Sequence, residues 1–193
     1  MIVTAEEMAG DRTSYFGFWL YLMTDLVLFA ALFATYAVLH GGTAGGPTAA
    51  DIFSAPYVIV ETIFLLTSSV TCGLALVAAS VGARHRTLIF LGMTLLLGAV
   101  FIGMEASEFA RLTAIGAGPS RSAFLSSFFT LVGTHGLHVV VGLLWLVALM
   151  VSIYRRGFSR GNLRKLALFS LFWHFLDIVW IFIFTIVYLF GII

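Results

Sequence analysis

Five continuous apolar stretches dominate the chain: Tyr15–Leu39, Tyr57–Ser80, Thr87–Ala110, Phe124–Tyr154 and Leu166–Ile193. A membrane-spanning helix needs about 20 predominantly apolar residues, and each stretch supplies that length. The runs are unbroken rather than alternating, which predicts helices and not barrel strands. The fourth exceeds what a bilayer requires, so it is tilted or extends into water. The connections are short and of turn composition, with Gly41-Gly42-Thr43-Ala44-Gly45-Gly46-Pro47 after the first stretch and Gly116-Ala117-Gly118-Pro119 after the third. None is large enough to be a domain, and no internal repeat or low-complexity linker is visible. The pattern predicts an all-α integral membrane bundle of five transmembrane helices, at about 15–39, 57–80, 87–110, 124–154 and 166–193. Residues 1–193 then form one domain.

Composition agrees with a lipid solvent. Of the 193 residues, 61% are hydrophobic and only 10% charged, against about 25% charged in soluble domains. A net charge of +1 excludes the concentrated basic surface that nucleic-acid binding requires. The single cysteine, Cys72, excludes an internal disulfide and a multi-thiolate metal centre. The start of the chain, Met1 to Ser14, is polar and acidic (Glu6, Glu7, Asp11) and lacks the pattern of a cleaved signal peptide. Basic residues fix an expected orientation. One side holds Arg12, Arg84, Arg86, Arg155, Arg156, Arg160, Arg164 and Lys165, the other only Arg111 and Arg121. Eight against two predicts a cytoplasmic N-terminus and a periplasmic C-terminus.

Every apolar stretch nonetheless carries an ionisable residue. Such groups are expensive in hydrocarbon and face the protein interior or a functional pathway. A helix rises about 1.5 Å per residue, which sets Asp25 roughly 15 Å in from the cytoplasmic end of the first helix. His135 and His138 lie about as deep from the outer end of the fourth, and His174 and Asp177 sit three residues apart on one face of the fifth. These five can form one layer, while Glu61, Glu105 and Glu108 sit towards the outer side. Two readings stand for all eight: they satisfy one another across helices, or they handle protons or a ligand. Asp25 is the strongest functional candidate, as the only ionisable group inside its helix, and a contact with a histidine of the fourth or fifth helix is expected.

Thr134-His135-Gly136-Leu137-His138 invites a metal or haem reading, because imidazoles at i and i+3 can share a face. The Glu-x-x-His pair of di-iron bundles is missing from the sequence. The alternative is close helix approach at Gly133, Gly136 and Gly142, with the histidines bonding across the contact. Ser68, Ser69, Thr71 and Gly73, and likewise Gly92, Gly98 and Gly103, form small-residue patches suited to helix packing. Tyr15, Phe16, Phe18, Trp19 and Tyr21 fit an interfacial aromatic belt. The basic loop Tyr154–Lys165 suits anionic headgroups.

Four blocks carry a resemblance to a known family: Leu22-Met23-Thr24-Asp25 with the Phe-rich run to Tyr36; Met104-Glu105-Ala106-Ser107-Glu108-Phe109; Phe128-Phe129 to Thr134-His135-Gly136-Leu137-His138-Val139; and Trp173-His174-Phe175-Leu176-Asp177-Ile178-Val179-Trp180. In this order the chain resembles subunit III of the haem–copper oxidases, over nearly its whole length. The five-helix form lacks two N-terminal helices of longer members. Gly41 to Thr48, Asp51-Ile52-Phe53, Gly103-Met104-Glu105 and Gly118-Pro119-Ser120-Arg121-Ser122 look like the branch serving cytochrome o-type ubiquinol oxidases.

The resemblance implies a non-catalytic subunit of a proton-pumping terminal oxidase in a bacterial inner membrane. Haem b, an o-type haem and copper would sit in subunit I, with none in this chain. Subunits I, II and IV and phospholipids would be its partners, and ubiquinol and oxygen would be used by the complex without binding here. The implied roles are stabilisation of subunit I, lipid binding and assistance to proton uptake. Asp25 falls where many relatives carry a carbodiimide-reactive carboxylate, as aspartate in place of glutamate. Subunit III of a cytochrome c oxidase is the first alternative. A small proton-coupled transporter built on Asp25, Glu61, Glu105 and Asp177 is the second, although the paired broken helices and internal repeat of many transporters are not seen.

Overall fold

A computed structural model describes residues 5–192, with side chains described from residue 13 onward except 50, 51 and 192. The acidic N-terminal side chains, Arg12 and Asp51 therefore lie outside the described residues. The long helices are α1 (Ala5–Leu39), α3 (Ala55–Ser80), α4 (Arg84–Ala114), α5 (Ala123–Arg156) and α6 (Arg160–Ile183). A single turn, α2 (Ala49–Ile52), interrupts the first connection, and α6 continues through a π-helical segment, Phe184–Leu189, into the short α7 (Phe190–Ile192). The five long helices are each long and apolar enough to cross a membrane.

The helices run longer than the apolar pattern indicated. Helix α1 begins at Ala5 rather than Tyr15, α4 runs from Arg84 to Ala114, and α6 begins at Arg160. The cause is local: polar flanks continue helical hydrogen bonding outside the apolar stretch until a capping group stops it. Pro56 enters the first turn of α3, where its missing N–H costs nothing. The hydroxyls of Ser122 and Ser159 accept from Leu125 N and Asn162 N, each at 3.2 Å, and start α5 and α6. Helix α4 ends where Gly116 turns left-handed (φ 80°) and Ala117 N bonds back to Leu112 O at 2.9 Å.

Helices α3, α4, α5 and α6 close a four-helix ring, and α1 lies on the seam between α5 and α6. The α3–α4 contact is the most extensive. With no hydrophobic force between helices in lipid, close packing and interhelical hydrogen bonds hold such a ring. Trp173 supplies both at its centre. Its ring fills the space left by Gly98 of α4 and Gly142 of α5, where an added Cβ would come within 3.0 and 2.9 Å of it. Its Nε1 donates to Ser68 Oγ of α3 at 3.0 Å. Thr71 and Thr94 join α3 to α4 at 2.8 Å, and Trp180 Nε1 donates to Thr62 at 3.0 Å.

The small-residue patches divide accordingly. Gly98, Gly136 and Gly142 are close approaches, whereas nothing lies within 4 Å of a Cβ at Gly103 and only the tip of Met150, at 3.9 Å, near Gly92. At the aromatic start of α1, Phe16 and Trp19 are exposed, as a headgroup-level belt requires. The two ends of the bundle differ in charge: an Arg84 Nη2 donates to Tyr154 O beside the basic loop, while Arg111 donates to Ile52 O at the other end.

Candidate functional site

The eight ionisable candidates fall into separate local environments. On the α1–α5 seam, Asp25 meets His138, with Nε2 3.8 Å from Oδ2. This is the expected carboxylate–histidine contact. The imidazole is held from its other side by Nδ1 on Thr134 O at 2.7 Å, and Phe29 packs on the ring at 5.3 Å.

His135, one turn before His138, points elsewhere. It is fully buried among Phe29, Phe101 and Trp180, the last at 5.2 Å, and neither ring nitrogen has a protein partner. The two imidazoles therefore do not converge on a common ligand position. Among the described residues no three His, Cys, Asp or Glu side chains are placed to hold a metal ion.

The fifth-helix pair splits as well. His174 is exposed on the α3–α6 seam and bonds through Nδ1 to Ser69 Oγ at 2.5 Å. Asp177 is buried, and its Oδ1 has no partner. Ser69 thus does more than pack: its hydroxyl holds the His174 ring. Its sequence signal was only that of a small residue on an apolar helix.

Glu61 of α3 interacts electrostatically with Glu105 and Glu108 of α4 near the end that carries the 40–54 and 114–122 loops. Glu61 is wholly buried with both oxygens unpartnered. Glu105 lies under the backbone of Gly136, where an added Cβ would come within 2.8 Å of its carboxyl carbon. Tyr188 donates to Glu108 Oε2 at 2.9 Å, and Arg111 Nη2 stands 3.9 Å from the other oxygen. A cavity of about 310 Å³, lined by Ser54, Tyr57, Ser107, Glu108 and Arg111, reaches this carboxylate. Tyr57 OH closes its wall by bonding Met104 O at 2.9 Å and Ser107 at 2.7 Å. Tyr57 and Tyr188 escape a sequence reading because tyrosine at a membrane boundary normally signals only an interfacial anchor.

Five long apolar helices, four in a ring and α1 on its seam, define a multi-pass membrane protein of the helical-bundle class. Its family follows from comparison with known proteins. Residues 3–192 match the model of the family described as cytochrome c oxidase subunit III. The cytochrome bo(3) ubiquinol oxidase subunit 3 of Pseudomonas aeruginosa is 63% identical over 97% of this chain and 88% of its own length. That of Pseudomonas putida is 55% identical over 95% and 88%. A cytochrome c oxidase subunit 3 from Bacillus sp. is 46% identical over 93% and 87%. The chain belongs to the cytochrome c oxidase subunit III family.

Proposed function

We propose that this chain is the non-catalytic third subunit of a proton-pumping ubiquinol oxidase in a bacterial inner membrane. The near full-length match to ubiquinol oxidase subunit 3 of Pseudomonas aeruginosa, at 63% identity, carries the reading. The geometry supports it. The histidines are engaged with Asp25, aromatic rings or Ser69, so the residues suit a scaffold rather than an electron carrier. Haem b, an o-type haem and copper belong, in this reading, to subunit I, with subunits II and IV completing the complex. The basic end of the bundle faces the cytoplasm. The identity of the electron donor is not written in this fold: a cytochrome c oxidase subunit 3 and a quinol oxidase subunit 3 from Bacillus are 46% and 45% identical to the chain. Subunit III is then a support common to both donors.

Asp25 with His138, and the Glu61–Glu105–Glu108 group, serve this complex by holding helices together and by taking up protons within the membrane. These carboxylates are fully or nearly buried, where an unpaired charge is costly. The test is gentle purification of the chain from its native membrane, followed by a reduced-minus-oxidised visible spectrum. Haem signals of b and o type in copurifying larger subunits, without a dinuclear copper band, are expected. A colourless chain with no haem-bearing partner would overturn the oxidase reading, and a dinuclear copper band would move the donor to cytochrome c.

A further inference from the structure

We propose that the cavity at Glu108 is a water-filled port through which the buried Glu61 carboxyl exchanges its proton with the solution at the end of the bundle that carries the 40–54 and 114–122 loops. The proposal rests on the reading that this carboxylate group takes up protons, and it adds the route and the medium that carries them. The route starts at the end of the bundle. Tyr57, in the first turn of α3, bonds Met104 O and Ser107 of α4 and so fixes the register of the two helices. Glu61 follows one turn deeper on the same side of α3, about 9 Å from its first residue. Glu105 and Glu108, three residues apart, share a face of α4 and lie within electrostatic reach of Glu61. The cavity opens between Ser54, at the start of α3, and Arg111, near the end of α4, and Glu108 lines it.

The polar atoms around the cavity select its occupant. Both Glu61 oxygens, Glu105 Oε2 and Glu108 Oε1 are buried and have no hydrogen-bond partner in the protein. Buried polar atoms of this kind are normally bonded to ordered water. The lining offers two serine hydroxyls, a tyrosine hydroxyl, a carboxylate and a guanidinium, and water satisfies all of them. Its volume of about 310 Å³ holds several molecules. Arg111 Nη2 stands 3.9 Å from Glu108 Oε1, so the two charges offset each other and favour neither a cation nor an anion. An acyl chain would leave the same groups unsatisfied. Water between Glu61 and Glu108 then carries the exchange. The Glu61 carboxyl gives its proton to the bridging water, which passes one of its own to Glu108, and Glu108 passes one to the cavity. A proton returns by the reverse steps, so the group ends with as many as it began. The other titratable or charged groups around this route are Tyr57 of α3, Glu105 and Arg111 of α4, His135 beside Gly136 on α5, and Tyr188 beyond α6.

Hydroxyl radicals made from water by brief X-ray irradiation of the intact complex oxidise side chains that touch bound or bulk water, and they test this. Tyr188, which donates to Glu108 and is 1% exposed, should be oxidised. Trp173, equally buried but bonded to Ser68, should be spared. Ser54→Trp narrows the mouth of the cavity, and because Ser54 makes no side-chain cap bond, α3 keeps its start. This variant should lose most of the Tyr188 oxidation. Ser120→Trp, exposed at the same end but outside the cavity lining, should keep it. On transfer to D2O, the carboxylic C=O infrared band that Glu61→Gln removes should shift at once in the unaltered complex and slowly in Ser54→Trp. Equal protection of Tyr188 and Trp173, as a lipid headgroup in the cavity would give, overturns the proposal. So does the lack of a Glu61 band, or an exchange rate that Ser54→Trp leaves unchanged. Copurification with no haem-bearing partner removes the oxidase reading and leaves the oxidation and exchange measurements to decide the port. A haem-bearing complex in which Tyr188 is protected removes the port alone.

Discussion

Trp173 shows how one side chain can organise a bundle that has no hydrophobic force to assemble it. Its ring occupies the space of two absent Cβ atoms, at Gly98 and Gly142, while its N–H reaches Ser68. Gly142→Ala should therefore destabilise the folded chain by about 1–3 kcal/mol, the usual cost of overpacking. A Cβ there would press on the fully or nearly buried rings of Trp173 and Phe172, which cannot swing away. Gly103→Ala, with nothing within 4 Å, should cost nothing and gain helix propensity. Thermal unfolding in detergent distinguishes the pair, and equal losses would show that the ring is not clamped at Trp173. All these glycines are equally visible in the sequence. Which of them face a neighbour is not, since a continuous apolar helix shows no polar face to orient it. Asp25 was more legible, because a lone carboxylate in an apolar run requires a partner, and His138 provides one. Asp25→Asn removes the ionisable carboxyl and keeps the shape, so initial oxygen consumption should stay near wild type while sustained proton uptake declines. Proton release and oxygen uptake recorded together over successive turnovers would test this, and an immediate block of haem reduction would contradict a supporting role.

At the scale of elements, the end of α6 departs most from expectation. The apolar pattern predicts a plain helix to residue 193, yet Phe184–Leu189 is wound as a π-helix. No proline or paired glycine marks it. The cause is tertiary: the wider winding carries Tyr188 to the Glu108 carboxylate and seats it against Phe53, 4.7 Å away. Such segments often occur where a side chain must be re-aimed, and they are set by the neighbour rather than by local propensity. Deleting Ile186 would remove one of the residues that the wider winding accommodates and so disturb the packing of Tyr188 and its neighbours. The deletion should lower the unfolding temperature more than Tyr188→Phe does, since the latter loses only a hydrogen bond worth roughly 0.6–2 kcal/mol in a membrane. If the two variants melt together, the π-helical winding contributes nothing beyond that bond. The membrane-spanning helices themselves were legible from length and hydropathy alone, because lipid demands that the backbone satisfy itself. Their ends were not, because capping by Ser122 and Ser159 and turning at Gly116 act outside the apolar runs.

For the whole molecule, sidedness connects sequence to respiration. Arg84 and the loop after α5 share one end of the bundle, and Arg111 with Arg121 marks the other. In the proposed orientation the first end is cytoplasmic, since translocating eight basic groups is opposed where translocating two is not. That orientation places the Glu61–Glu105–Glu108 group and its cavity towards the periplasm. The Asp25–His138 pair then lies deeper, so any proton held by the carboxylate group is on the release side of the membrane. Cysteine labelling can decide this cleanly, because the natural Cys72 is wholly buried and silent to an impermeant maleimide. Ser80 and Ser120 are exposed at opposite ends of the bundle and tolerate a side chain of nearly the same size. In spheroplasts, Ser120→Cys should label from outside at once, whereas Ser80→Cys should label only after lysis. The reverse order would invert the topology and turn the carboxylate group towards the cytoplasm, where its protons would be available for uptake instead.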